Sequence, residues 1–304
     1  MLKNFLTKKH TGWMAAARQG ERLDILHVSR GPDARPQVLH CLQVDAYADA
    51  PASRLAAAGR SASLRGGRFT YLLQPDEYQF IQVETPDVPE AEQHNALRWQ
   101  LKDALNQSVD DTVFDTLPLP PPASSRSRPP TLVVAAARQV LAPTVQAFQS
   151  ARLQLASIDV PEMALRNIAN LYDTAPRGIA LLHFDERGGL VVVCHEGELV
   201  TSRRFDVTAP QLALADDLRV ARFERIGLEL QRSLDNFDRQ YSHIPVAKLV
   251  VSIPPDGESI IDFLASTLYI PVEALDLAPR VDGLERLGGS ALLTLGAALR
   301  SEPQ

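Results

Sequence analysis

Three short strand-like segments, the first two strongly apolar, and the long amphipathic helix after them constrain the fold most strongly. The three segments cover residues 178–184, 190–194 and 199–207. Turn sequences rich in glycine and charged residues separate them, which is typical of antiparallel strands joined by hairpins. From 216 to 241 apolar residues recur every three or four positions, which predicts a helix with one buried face. A strand at 248–253 and a helix at 259–268 follow, so the order predicts an α/β layer in the second half of the chain.

The first half repeats the meander pattern and then carries a separate unit. Alternating apolar residues predict strands at 12–17, 23–29, 37–46 and 69–73. Residues 78–156 then follow the order strand, helix, strand, strand, helix, which indicates a compact inserted segment. A proline-rich stretch at 118–130 lies inside this segment, and we expect it to be an exposed hairpin loop, with a ligand for a proline-recognising module as the alternative.

Composition excludes several classes of protein. The 304 residues are 45% hydrophobic and 22% charged, as in soluble globular proteins, and not as in disordered or fibrous chains. A formal charge of -6 argues against nucleic acid as the main partner. The two cysteines, Cys41 and Cys194, are far apart in apolar surroundings, which predicts reduced thiols in a cytosolic protein.

Membrane contact is expected at the periphery only. No apolar run reaches the roughly 18 to 20 residues that a spanning helix needs. The segment Met1 to His10 is short, basic and amphipathic, so it is a candidate for contact with an anionic membrane surface. The alternative is a frayed terminus that packs its apolar side on the protein.

The sequence contains few motifs of catalysis or cofactor binding. A Walker-type phosphate loop, a G-x-G-x-x-G motif, H-E-x-x-H and C-x-x-C are all missing from the printed sequence. His183 and His195 lie on one predicted hairpin, and an acyl- or sugar-processing α/β enzyme that uses one of them is an alternative hypothesis. We therefore predict no metal site and no catalytic residue.

Six short strings in the same order resemble the pilus-biogenesis family of PilM, and more closely its agglutinin-biogenesis branch, MshI. The strings cover residues 73–79, 88–103, 133–138, 158–167, 229–235 and 295–300. The family is related to the cell-division protein FtsA and has an actin-like, ribonuclease H-like fold. The resemblance implies a two-domain α/β fold of this kind with an inserted FtsA/PilM-type α+β subdomain.

The resemblance also implies a domain division and a role. The first actin-like domain covers 1–77 and is completed by 157–172 and 288–304; the inserted subdomain covers 78–156, and the second domain covers 173–287. The implied role is a non-catalytic cytoplasmic scaffold, peripheral to the inner membrane, that grips the cytosolic tail of a PilN-like bitopic protein and meets other proteins of the pilus platform.

The nucleotide-binding loops of the family are only partly retained in this sequence. Actin-like ATPases carry a D-x-G turn in the first strand pair, and this chain has no D-x-G. Trp13 is expected where that turn would lie. The second loop keeps Asp185, Gly188 and Gly189, and the third falls on 253–257, where two prolines remove amide donors. We expect a pseudo-ATPase without cofactor; the alternative is an ATPase that binds Mg-ATP and switches assembly. The alternative for Asp185 and the glycines is an ordinary hairpin turn.

The partner surface is predicted on the helix of the inserted segment. Trp99, with Arg98 and Lys102 beside it, is the candidate anchor for a protein partner, because exposed tryptophan is enriched at interfaces. The alternative is that Trp99 packs in the core with Leu97 and Leu101.

Overall fold

The computed structural model describes residues 12–30, 35–44, 55, 64, 66–123, 129–172, 174–252, 258–287 and 291–300. The strands are β1 (Trp13–Gln19), β2 (Arg22–Ser29), β3 (Gln37–Val44), β4 (Arg68–Leu72), β5 (Gln79–Glu84), β6 (Thr112–Pro118), β7 (Pro130–Ala137), β8 (Gln154–Asp159), β9 (Gly178–Asp185), β10 (Gly188–His195), β11 (Glu198–Phe205), β12 (Val246–Ser252) and β13 (Val272–Ala274). The helices are α1 (Glu90–Leu101), α2 (Arg138–Ser150), α3 (Pro161–Ala169), α4 (Ala209–Ala213), α5 (Arg219–Gln240), α6 (Glu258–Thr267) and α7 (Leu292–Ala298). The segment Met1 to His10 and the loop 253–257 lie outside the described residues.

The chain divides into two compact units. The first contains residues 1–75, 139–164 and 277–304. Its sheet has the order β3-β2-β1-β4-β8, in which β1 is antiparallel to β2 and parallel to β4. Helix α7 packs on β1 and β2, and its residues are buried from Leu293 to Ala298.

The second unit contains residues 76–138 and 165–276 and holds two sheets. The larger sheet has the order β11-β10-β9-β12-β13, with β10 antiparallel to both of its neighbours and β12 parallel to β9. Helices α5 and α6 share one apolar core with this sheet. The predicted buried face of the long helix is confirmed, because Phe223, Ile226, Leu230, Leu234 and Phe237 are all buried.

The smaller sheet of the second unit is antiparallel, with the order β5-β7-β6. Helix α1 packs on one face of it through Leu101, which is buried with Val133 and Ala135 of β7. The expected hairpin between β6 and β7 is present, and the described residues of its proline-rich connection end at Ala123 and resume at Pro129.

Helix α2 lies with the first unit, although the sequence analysis places it in the inserted segment. The ring of Phe148 lies 5.5 Å from the ring of Phe69 and 6.1 Å from that of Tyr71, both in β4. Burial of these aromatic rings fixes α2 on the first sheet. The three-part domain division stays a prediction.

The helices of the described ranges are too short or too polar to span a membrane.

Candidate functional site

The turn between β9 and β10 contains Asp185, the first predicted nucleotide-loop residue. One oxygen of its carboxylate accepts a hydrogen bond from the backbone N–H of Arg187 at 2.8 Å. The Arg187 guanidinium in turn forms an ion pair with Asp76 at 3.0 Å. The turn therefore uses its own carboxylate to hold its backbone, as Asp commonly does in turns.

The two glycines of this turn are required by neighbouring packing. Gly188 has φ of 142°, and a Cβ on it would lie 2.3 Å from the carbonyl oxygen of Phe205. A Cβ on Gly189 would lie 2.6 Å from the ring of Phe184 and 3.0 Å from that of Phe205. These contacts account for both glycines without any ligand, which favours an ordinary hairpin turn.

The turn of the first strand pair does not contain Trp13. Trp13 lies at the start of β1, opposite Val28 and Arg68, and the hairpin turn joins Gln19 to Arg22. The expectation that Trp13 occupies the turn is wrong, because the strand begins at Trp13 and the turn comes at the other end of it. The indole is 6% exposed, with guanidinium groups at 4.7 Å (Arg68) and 5.7 Å (Arg300) from its ring centre.

Neither described turn has the D-x-G sequence of the family's Mg-phosphate cradle. The β1–β2 turn presents Gln19, Gly20 and Glu21, and the nearest aspartate, Asp24, is fully buried in β2. Arg22 holds the Asp24 carboxylate through Nε at 2.7 Å. A cradle of this kind needs free backbone N–H groups and a carboxylate that faces the hydrated metal ion.

His183 lies near the end of β9, where its Nδ1 is 3.2 Å from the Ser252 hydroxyl oxygen. Burial lowers the pKa of His183 to about 4, and the negative charge of Asp185 opposes this shift only in part. The imidazole is therefore neutral near pH 7 and is a poor general base there. Its environment suits a structural hydrogen bond better than proton transfer.

His195 lies far from His183 along the hairpin. His183 is opposite Leu190 of β10, and His195 lies five residues further along that strand, about 17 Å away at the usual strand rise. Its nearest carboxylate is that of Glu196, at 3.9 Å. Within the described ranges, no group of three metal-ligating side chains is found.

The predicted partner surface is on the solvent side of α1. Trp99 is 76% exposed, while Leu97 and Leu101 are buried beneath the helix, so the alternative of a core tryptophan is wrong. The Lys102 ammonium group lies 5.8 Å from the centre of the indole ring. Arg98 points elsewhere and forms an ion pair with Asp110 at 2.7 Å. The structure thus brings Trp99 and Lys102 together and leaves Arg98 in a local contact.

A groove between β11 and α5 was missed by the sequence analysis. Two adjoining cavities, of about 160 and 190 Å³, share Arg203 in their walls. We call this feature the β11 groove. The pair Arg203-Arg204 near the end of β11 was the one sequence signal for it.

Solved structures provide the comparison with known proteins. The chain is similar to a chain of a "PilM-PilN type IV pilus biogenesis complex", with 17% identity, coverage of 95% and 98% of the two chains, and a TM-score of 0.69. It is also similar to the cytoplasmic domain of EpsL, an inner membrane component of the type II secretion system of Vibrio cholerae (15% identity, coverage 96% and 96%, TM-score 0.51). A third is a Bacteroides thetaiotaomicron protein of unknown function with an actin-like ATPase fold (9%, 97% and 99%, 0.52).

These similarities establish the fold. The chain has a two-domain actin-like ATPase fold, as the sequence analysis predicts. No protein-family model matches the chain, and no curated protein sequence matches it.

Proposed function

We propose that this protein is a non-catalytic scaffold for assembly of a type IV pilus of the MSHA type, at the cytoplasmic face of the inner membrane. The observation that carries the proposal is the similarity of nearly the whole chain, at a TM-score of 0.69, to a chain of the PilM-PilN complex. The similarity to the cytoplasmic domain of EpsL supports the same setting, because EpsL is an inner membrane component of a secretion system.

The proposed partner is the cytosolic tail of a PilN-like bitopic membrane protein. Trp99 offers an anchor for it, because a large aromatic side chain that is 76% exposed on a helix can bury much apolar area in a complex. Lys102 beside the indole adds a positive charge that can meet an acidic group of the tail. Contact of the segment Met1 to His10 with the membrane surface remains part of this proposal.

Absence of nucleotide chemistry is the second part of the proposal. The Asp185 carboxylate is bonded to its own turn, and Gly188 and Gly189 are needed to admit Phe205. These contacts support a pseudo-ATPase that keeps the fold and does not use Mg-ATP. The alternative is an actin-like ATPase in which nucleotide switches pilus assembly.

Co-purification tests the scaffold role. The tagged protein is expressed together with the bitopic pilus protein encoded in the same genome, and with a form of that protein that lacks its cytosolic tail. We expect a stoichiometric complex with the intact protein only. Equal recovery with and without the tail, or recovery with neither, would contradict the proposal.

Calorimetric titration with Mg-ATP tests the pseudo-ATPase. We expect no heat of binding up to millimolar nucleotide, since neither described turn has the D-x-G sequence and the Asp185 carboxylate is bonded to its own turn. Micromolar binding would instead favour the ATPase alternative, and Asp185→Asn would then show whether the β9–β10 turn takes part.

A further inference from the structure

We propose that the β11 groove is a second docking site, which takes an extended segment of a partner protein as an added strand. The segment carries an acidic side chain and an apolar side chain two positions apart. The groove is made of residues other than the Trp99 and Lys102 pair, so the inference does not depend on binding of a membrane protein's tail to α1.

Strand β11 offers the backbone edge that such a segment needs. It has eight residues, and among the described strands it is the outermost strand of its sheet, paired only with β10. An edge strand presents unpaired N–H and C=O groups that another chain can use. Strand addition of this kind takes its affinity from main-chain hydrogen bonds and its specificity from pockets for alternate side chains.

The register places two side chains of β11 on the face that α5 covers. Thr201 lies opposite Val193, and Arg203 lies opposite Val191, and both valines belong to the core shared with α5. Arg203 reaches across to the carboxylate of Glu229 on α5. This ion pair divides the β11 groove into its two cavities.

The first cavity, of about 160 Å³, is suited to an apolar side chain. Its floor is formed by Val191, Val193, Leu230, Leu234 and Leu249, all of them buried. Thr201, Ser233 and Asn236 contribute polar groups to its rim. Filling an apolar floor of this kind removes hydrocarbon from water on both partners.

The second cavity, of about 190 Å³, is suited to a carboxylate. Its walls contain Arg203, Arg204 and Arg225 against two acidic residues, Asp206 and Glu229. Arg225 is paired with Asp206 at 2.8 Å, but both side chains are mostly exposed, at 60% and 86%. An ion pair as exposed as this one contributes little energy. A carboxylate of the partner can therefore replace Asp206 beside Arg225, or bind the same guanidinium group together with Asp206.

The order of the cavities along β11 sets the pattern of the occupant. Side chains on the same face of a strand are two residues, about 6.8 Å, apart. The apolar cavity lies at the Thr201 end and the basic cavity at the Phe205 end of β11. A parallel segment therefore carries the apolar residue first, and an antiparallel segment carries the acidic residue first.

Synthetic peptides test the docking site on the full chain. The probes are two acetylated eight-residue threonine-rich peptides with Leu and Glu two positions apart, one in each order, and the same pair with Lys in place of Glu. Binding is measured by fluorescence anisotropy, and hydrogen exchange reports protection of the amides of β11. We expect one Glu peptide to bind and to slow exchange between Glu198 and Phe205.

Two variants and one matched control locate the peptide. Ser233→Leu fills the apolar cavity and should weaken binding about ten-fold or more. Ser266→Leu is the matched control. Like Ser233, Ser266 is a helix serine whose hydroxyl donates to a carbonyl of its own helix, but it lies exposed on α6, away from the groove. The Arg225→Glu variant should bind the Glu peptide more weakly than the wild type does, and it should bind the Lys peptide instead.

Three results would overturn the proposal. They are failure of both Glu peptides to bind at millimolar concentration, binding that leaves the β11 amides unprotected, and equal binding to the Ser233→Leu and Ser266→Leu variants. Protection of β11 that Ser233→Leu abolishes and Ser266→Leu preserves would establish the site.

Discussion

Gly296 of α7 lies so close to Ala164 of α3 that a Cβ on Gly296 would come within 2.2 Å of the Ala164 carbonyl oxygen. The obstacle is backbone, which cannot move aside as a side chain can. The contact packs the last described helix against α3, and this close approach is possible only because Gly296 has no side chain.

Gly296→Ala should therefore destabilise the protein, by about 1 to 3 kcal/mol in the free energy of unfolding. Gly227→Ala, in α5, is the matched control: the new methyl group would meet the ring of Phe263 at 3.1 Å, and alanine favours a helix by up to about 1 kcal/mol. Urea unfolding of both variants checks this, and equal midpoints for the two would contradict it.

Trp99→Ala should leave stability almost unchanged, within about 0.5 kcal/mol, because the indole is exposed. Leu101→Ala, two residues away on the same helix, should cost about 2 to 5 kcal/mol, because that side chain is fully buried. If Trp99 anchors the partner's tail, Trp99→Ala also abolishes co-purification. A complex that survives Trp99→Ala would remove α1 as the docking surface.

Gly188→Ala tests whether the β9–β10 turn is a packing feature. The new methyl group would meet the Phe205 carbonyl, whereas in Gly197→Ala, also at positive φ, the nearest atom lies 3.7 Å away, on Asn170. In both variants alanine must adopt a positive φ, which lowers the free energy of unfolding by about 1 kcal/mol, and only Gly188→Ala adds a steric clash. We expect a clearly lower melting temperature for Gly188→Ala without any nucleotide present. Similar melting temperatures for the two variants would argue against the packing explanation.

His183 should make the protein less stable as the pH falls from about 6.5 to about 4. The folded pKa of about 4 lies below the ordinary 6.5, so the unfolded chain binds a proton in this window that the folded chain does not. A proton bound only by the unfolded chain lowers the free energy of unfolding by at most about 1.4 kcal/mol for each pH unit. Above pH 6.5 both states are neutral at this group and the effect vanishes.

The His183→Asn variant isolates that contribution. Asparagine can keep the hydrogen bond of Nδ1 to Ser252 but does not titrate. Urea unfolding at several pH values should give the variant a shallower loss of stability below pH 6.5 than the wild type. Parallel curves would show that His183 titrates normally.

Cys194 should resist alkylation in the folded protein. It is 1% exposed, and burial raises the pKa of its thiol to about 12, so about one molecule in ten thousand carries the reactive thiolate at pH 8. Cys41 is only partly buried and should react first. Mass spectrometry after iodoacetamide treatment should show one label in buffer and two in urea; rapid double labelling in buffer would be inconsistent with the burial of Cys194.

The exposure of Trp99 could be predicted from the sequence, whereas the position of the family's first loop was predicted wrongly. Two residues along a helix turn by about 200°, so a residue two positions from both Leu97 and Leu101 points away from their face. The exposure of Trp99 was therefore available from spacing alone. The predicted strands at 12–17 and 23–29 already place the turn between them, whereas the resemblance assigned the family's loop to Trp13, at the wrong end of the strand.

The sequence by itself determined the elements that depend on local periodicity. The meander β9 to β11, the buried face of α5 and the hairpin of β6 and β7 follow from patterns within a few residues, because side-chain direction repeats every 2 or 3.6 residues. Tertiary structure alone decided what comes to lie beside each element: α2 on the first sheet through Phe148, β11 at an edge because β12 pairs with β9, and Phe205 against Gly188 and Gly189. Such contacts join residues distant in the chain, and their energies depend on shape and packing that no local pattern records.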